Sequence, residues 1–339
     1  MVVTNHLASV DARTSLLGKP GGQWIRSAPE KIDSVWGLGD QVAWAKGETF
    51  MVAGSDGTGK TVLAHNLILR MIGIIEEPLL GLPVARSERV LYLAQDRPIQ
   101  AKRGLKRMVG DMDEDDLDER LVVFDSPLNE TVEQDQDLLV RIAEQNSCDS
   151  LIVDSLKDIT RQLSDEETGQ ALKRAYQRAQ AAGVDVALLH HNRKSSQGAN
   201  KRELLRLADV YGSRLITAGC GSVIGLNGAS GDPIVELRHL KQVAEEVGPI
   251  QVHFDFTTGG LSIFRGSDIV SLIAKSPDGM TAKDAASELY SSTDRASIER
   301  ARRKLDSEVA SGRLHKKQDG PSVKAPVRYY PIAKVEEPA

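Results

Sequence analysis

The run Gly54, Ser55, Asp56, Gly57, Thr58, Gly59, Lys60, Thr61 constrains this chain more than any other feature. It fills every required position of the pattern G-x-x-x-x-G-K-[ST], and its flanks suit that pattern. Glu48-Thr-Phe-Met-Val-Ala53 before it is a short apolar run that predicts a buried strand. Val62-Leu-Ala-His-Asn-Leu-Ile-Leu-Arg70 after it has helical apolar spacing. A strand, a glycine loop and a helix in that order make an anion cradle. Glycines let backbone N–H groups wrap phosphates, and the helix N-terminus adds positive potential. The pattern predicts that Lys60 reaches the β- and γ-phosphates of ATP and that the Thr61 hydroxyl holds Mg²⁺.

From residue 46 to about 265 short apolar runs alternate with helical stretches. Strands are expected at 49–53, 90–94, 121–124, 150–153 and 184–189, and helices at 62–73, 98–109, 134–146 and 166–182. Such alternation implies an α/β fold whose mostly parallel sheet is covered on both faces. Segments 222–226, 234–240, 250–255 and 261–264 are joined by short turns rich in Gly, Asn and Asp, and predict antiparallel strands at one edge. Residues 1–45 read as a lead-in strap. They hold all three tryptophans, Trp24, Trp36 and Trp44, whose expected role is packing onto a neighbouring surface. The acidic run 111–119 reads as a solvated helix start.

Residues 267–335 form a separate small unit. Helical stretches at 267–275, 281–290 and 295–312 precede two strand-like pieces, 313–317 and 327–331, around a Gly-Pro-Ser loop. Three helices followed by a hairpin read as a winged helix.

Composition excludes several classes. No apolar run reaches the ~18 residues that a membrane span needs. The first residues carry no basic and apolar leader. Cys148 and Cys220 are far apart in sequence and sit in or beside apolar runs, so they read as buried free thiols, which suits a reducing cytoplasm. A net charge of −5 means that any nucleic-acid contact must come from local basic patches.

Other residues are expected to complete the nucleotide site. Leu151-Ile-Val-Asp154 is an apolar strand ending in aspartate, the form that supports the metal's water shell. Asp96 lies just past the strand 90–94, at the sheet edge where ligands bind, and is a candidate to orient and deprotonate water. His190 and His191 end another core strand. Side chains alternate along a strand, so only one should face the nucleotide, and His191 is the favoured sensor. The pair implies no metal site.

In this order the glycine loop, Asp96, Asp154 and the His-His strand end resemble the RecA-like ATPases. Within them the chain resembles the RepA-type hexameric helicase branch of the AAA family ATPases, of phage, plasmid and actinobacterial type. Trp36-Gly-Leu-Gly-Asp-Gln-Val-Ala-Trp44, Val90-Leu-Tyr-Leu-Ala-Gln-Asp-Arg-Pro98 and Ile152-Val-Asp-Ser-Leu-Lys-Asp158 carry the likeness, with Leu189-His-His191, Asp209-Val-Tyr-Gly-Ser-Arg214 and Glu236-Leu-Arg-His-Leu-Lys-Gln242. It covers roughly residues 20–265. One departure is Asp96, where most such enzymes carry glutamate. The resemblance makes 46–266 a RecA-like ATPase core and implies a homo-hexameric ring with ATP between subunits. Arg238 or Lys241 would reach the neighbour's γ-phosphate; both also read as edge-strand charges.

Rings of this kind move single-stranded DNA through inner loops. The basic, Gly/Ser/Asn-rich stretch with Arg193, Lys194, Lys201 and Arg202 is the expected loop, with a plain solvated loop as the alternative. In the small unit Arg300, Arg302, Arg303 and Lys304 lie on the third helix, which in a winged helix often enters the major groove of duplex DNA. Nearby acidic residues nearly balance them, so a protein-docking role stays open. The expected function is Mg-dependent ATP hydrolysis that drives a helicase-like motor. The alternatives are an ATP-gated DNA-binding regulator and a filament-forming recombinase.

Overall fold

Val, Leu and Ile crowd the segments between the helices, and burying them on both faces lines those segments up in one sheet. The computed structural model describes residues 18–112, 114–192, 205–264, 269–274, 276–290, 292–320 and 325–332. Between Ile263 and Phe264 the chain divides into two compact units.

The first unit contains β1 (Ser34–Leu38), β2 (Gln41–Ala45), β3 (Phe50–Gly54), β4 (Val90–Ala94), β5 (Leu121–Phe124) and β6 (Ser150–Asp154). It continues with β7 (Asp185–His191), β8 (Ser222–Asn227), β9 (Ile234–Lys241), β10 (Ile250–Phe254) and β11 (Leu261–Ile263). Nine of these form one sheet in the order β11-β10-β9-β8-β3-β7-β6-β4-β5. Every neighbour pair from β8 to β5 is parallel, and every pair from β8 to β11 is antiparallel. The sequence reading grouped β8 with the antiparallel strands. Instead β8 runs parallel to β3, because the chain enters it after the helix Arg214–Ala218 rather than from a tight turn. The reversal begins at the short turn after Asn227.

β3, β4 and β6 are buried along their whole length. Their alternate residues feed two cores. Phe50, Val52, Tyr92 and Ile152 pack with Leu63, Leu67 and Ile68 of the helix Lys60–Met71 on one face. Met51, Leu91, Leu151 and Val153 pack on the other face with residues of the helices Leu138–Gln145 and Glu166–Ala181. Burying each such large side chain contributes about 1.5–3 kcal/mol.

The lead-in is less separate than its composition suggests. β1 and β2 form an antiparallel pair whose Trp36 and Trp44 are fully buried in the main core. Trp44 stacks on Phe50 at 5.5 Å between ring centroids, and Trp36 meets the same ring edge-on at 6.0 Å. Trp24 departs from the packing expectation. It lies on the short helix Gly21–Arg26, which buries nothing, and is 64% exposed. Cys148 and Cys220 are buried free thiols.

The second unit has helices Ile269–Ala274, Ala282–Tyr290 and Arg295–Ala310, with strands β12 (Met280–Thr281), β13 (Leu314–Gln318) and β14 (Val327–Pro331). The strands pair antiparallel in the order β12-β14-β13, the arrangement of a winged helix. Ile269, Ile273, Ala285, Ala301, Leu305, Leu314 and Tyr329 form its core. The two-residue β12 falls just after the Pro-Asp-Gly separator, at the start of the stretch 281–290 that read as helical. Asp294 caps the third helix by accepting from Ser297 N at 2.7 Å. Among the described residues no helix is long and apolar enough to cross a membrane.

Candidate functional site

Strand register brings the chemistry to one edge. Gly54 at the end of β3 pairs with His191 of β7, and Ala94 of β4 pairs with Asp154 at the end of β6. The carboxyl ends of parallel strands are where α/β sheets bind ligands.

The glycine loop turns from β3 into the helix Lys60–Met71. Gly57 and Gly59 have φ of 73° and 94°, a region that side chains disfavour. Close approach requires glycine there as well. A Cβ on Gly57 would lie 2.2 Å from Ser230 Oγ, and one on Gly59 would lie 2.4 Å from the Phe254 ring. Gly231 N also donates to Gly57 O at 3.0 Å, so the β8–β9 turn sits directly on the loop. Thr58 Oγ1 donates to Ser55 O at 2.9 Å. Lys60 is buried, and its ammonium donates to Gly54 O and Ser55 O, both at 2.9 Å. Burial lowers its pKa, while the charges of Asp56, Asp154 and Asp96 pull the other way.

One turn into the site, Thr61 Oγ1 donates to Asp154 Oδ2 at 2.8 Å. Tyr92 Oη donates to the same oxygen at 3.0 Å, and His65 Nε2 lies 3.2 Å from Tyr92 Oη. Burial raises the Asp154 pKa; the hydrogen bonds from Thr61 and Tyr92 oppose it. Burial and the Arg107 charge take His65 down to about 4. The backbone ties the two acidic positions together, since Gln95 N and Asp96 N donate to Asp154 O at 2.7 and 3.0 Å. Hard oxygen donors at a helix N-terminus suit Mg²⁺. That ion is usually held by one or two carboxylates and the substrate's phosphates rather than by an all-protein cage. The described residues contain no cluster of three His, Cys, Asp or Glu side chains able to hold a metal.

Asp96 is ion-paired with Lys157, which the helical turn Leu156–Ile159 presents just after β6. Burial pushes its pKa up, but the hydrogen bond and charge of Lys157, with Arg97 and His191, hold it below the usual carboxylate range. The two histidines separate as strand alternation requires. His190 is fully buried with Nε2 2.6 Å from Tyr211 O, whereas His191 Nδ1 lies 2.8 Å from Asp56 Oδ1 of the glycine loop.

The two candidate finger cations differ. β9 is flanked by β8 and β10, so neither cation is on an edge strand. Arg238 pairs in register with Gly225, which pairs with Ala53, close to the loop end of the sheet. Its guanidinium is held by Glu236 on the same strand face. Lys241 pairs with Val223, further toward the opposite edge. Its ammonium donates to Thr217 O at 3.3 Å, Ala218 O at 3.2 Å and Cys220 O, closing the end of the helix Arg214–Ala218.

Arg193, Lys194, Lys201 and Arg202 lie outside the described residues. In the winged unit Arg302 pairs with Glu299 at 3.0 Å and Arg303 Nε donates to Glu299 O at 3.4 Å. Lys316 pairs with Asp306 and Arg313 with Glu308. Arg300 and Lys304 are half-buried on the third helix.

Tyr92, His65, Lys157 and the covering residues Ser230, Phe254 and Phe256 were missed in the sequence reading. The Phe254 and Phe256 rings stack at 6.5 Å, and Phe256 is 48% exposed. A usable signal existed only for His65, four residues after Thr61 and so on the same helix face. The sequence profile of the AAA domain family matches residues 23–197, just over half of the chain. No curated protein matches it.

Proposed function

The chain belongs to the AAA domain family of RecA-like P-loop ATPases, and from that premise we propose that it is a Mg²⁺-dependent ATPase that drives a ring-forming motor on single-stranded DNA. The observation that carries the hydrolytic part is the 2.8 Å bond between Thr61 and Asp154 beside the buried Lys60. Backbone N–H groups of residues 57–61 and the Lys60 ammonium bind the phosphates. The Thr61 hydroxyl has lone pairs left for the metal while it donates to Asp154. Mg²⁺, when bound, neutralises charge on the β- and γ-phosphates. The exposed face of Phe256 is a platform for the base, one ring away from the Phe254 that packs on Gly59.

Asp96 orients the attacking water. Its bond to Lys157 must loosen before it can accept a proton, since a carboxylate held below its usual range is a weak base. Asp96→Asn should still bind ATP but release phosphate at least ~100-fold more slowly. Unchanged turnover in a phosphate-release assay would pass the role to another residue.

The DNA-motor part is supported by the resemblance to hexameric helicases and by Arg238, near the same sheet edge as the glycine loop. Its test is strand displacement on a forked duplex, with particle mass measured with and without ATP. ATP-dependent unwinding by a hexamer is expected. Duplex binding without displacement would favour the ATP-gated regulator, and filaments in place of rings would favour the recombinase. The internal ion pairs of the winged unit favour a protein-docking role for it over duplex binding.

A further inference from the structure

The bonds that converge on Asp154 form a closed circuit. Thr61 and His65 are one turn apart on the helix Lys60–Met71. Thr61 reaches Asp154 directly, and His65 reaches it through Tyr92. Tyr92 sits on β4 next to β6, on the sheet face that this helix covers. Both members behind the carboxylate are enclosed: Tyr92 is 0% and His65 2% exposed, and the two rings meet edge-on at 5.5 Å. Gly104 leaves room for the imidazole, since a Cβ there would lie 3.0 Å from His65 Cε1.

Counting protons gives the circuit a direction. A phenol has one proton, and Tyr92 spends it on Asp154 Oδ2. The 3.2 Å contact from His65 must then be a donation from Nε2–H to Tyr92 Oη, which selects that tautomer. Both donors to the carboxylate end on Oδ2, and the described residues place none on Oδ1. The terminal torsion of an aspartate is broad, so one donor alone leaves the carboxylate free to swing. Two donors on one oxygen, from two different elements, aim the other.

We propose that Tyr92 is a positioning residue for the nucleotide's metal, held in place by His65, and that it keeps Asp154 Oδ1 turned to the metal's water shell. This rests on the ATPase reading above. Partners behind a group that serves a metal commonly set metal affinity by 10–100-fold, although they never touch the ion.

The test measures binding rather than turnover. A fluorescent, non-hydrolysable ATP analogue is titrated into the full chain in EDTA and again across a Mg²⁺ series, for wild type, Tyr92→Phe, His65→Leu and His65→Gln. Tyr92→Phe should keep the affinity seen in EDTA but need about tenfold more Mg²⁺ to reach the tight state. His65→Leu should shift the same way by less. His65→Gln, which keeps an N–H donor, should stay near wild type. The EDTA affinity reports folding of each variant within the same titration. A Tyr92→Phe midpoint equal to wild type, or a His65→Gln as defective as His65→Leu, overturns the proposal and leaves the ATPase reading standing. A wild-type protein whose affinity ignores Mg²⁺ overturns both.

Discussion

Lys60→Ala will abolish ATP hydrolysis and leave the protein folded. The ammonium is the one cation of the glycine loop, and burial beside Asp56, Asp154 and Asp96 makes it the local counter-charge for anions. Its loss removes the contact that follows charge onto the γ-phosphate in the transition state. The fold tolerates the change because the two carbonyls it satisfies have other donors. Asn192 N reaches Gly54 O at 3.4 Å, and Thr58 Oγ1 reaches Ser55 O at 2.9 Å. The stability cost should be about 1.5–3 kcal/mol, the net worth of a hydrogen bond made by a charged group. Phosphate release and a thermal melt, run side by side, check both halves. Near-normal turnover removes the phosphate-loop assignment, whatever the melt shows.

A second large effect is expected at Arg238. A finger that acts on the neighbouring subunit is worth on the order of 10³–10⁵ in rate. Arg238→Ala should therefore be as inactive as Lys60→Ala. Mixing the two should restore part of the activity, because some sites then join an intact Lys60 to a neighbour's intact Arg238. Lys241→Ala should behave differently. Its ammonium already closes the carbonyl end of a helix, so its loss should lower the melting temperature more than the rate. Recovery by mixing with Lys241→Ala in place of Arg238→Ala would reverse this assignment. No recovery with either would rule out a site shared between subunits.

The nucleotide-facing half of this site was legible in the chain because it depends on local grammar. A glycine loop between a strand and a helix reads from consecutive residues, as do the aspartate that ends β6 and the alternation that sends His190 and His191 to opposite faces. Register across strands does not read that way. Nothing in Val90-Leu-Tyr-Leu-Ala94 tells that Ala94 pairs with Asp154 and so brings the Tyr92 hydroxyl to that carboxylate. Lys157 follows Asp154 by three residues, yet its partner Asp96 is 61 residues away. The same blindness placed β8 among the antiparallel strands and left an edge-strand reading open for Arg238 and Lys241. Turn residues show where a chain reverses, but only the sheet order shows which strand is last. Trp24 misled because aromatic composition was read without periodicity. Trp36 and Trp44 sit in strands that face a core, and Trp24 sits in a helix of one and a half turns that faces none.

The hydrogen bond from Gly231 to Gly57 ties the phosphate loop to the turn that launches β9, three residues before Ile234. Loop and strand thereby share one lever, with the nucleotide's grip at the turn and Arg238 a short way along β9, still near the loop end of the sheet. Linkage makes the lever work in both directions with one coupling constant. Whatever nucleotide binding does to the poise of β9, anything that binds to β9 does to nucleotide affinity by the same factor. The poise of β9 and the grip on the nucleotide are then set together, before any bond is cleaved, by how tightly one backbone amide holds one carbonyl.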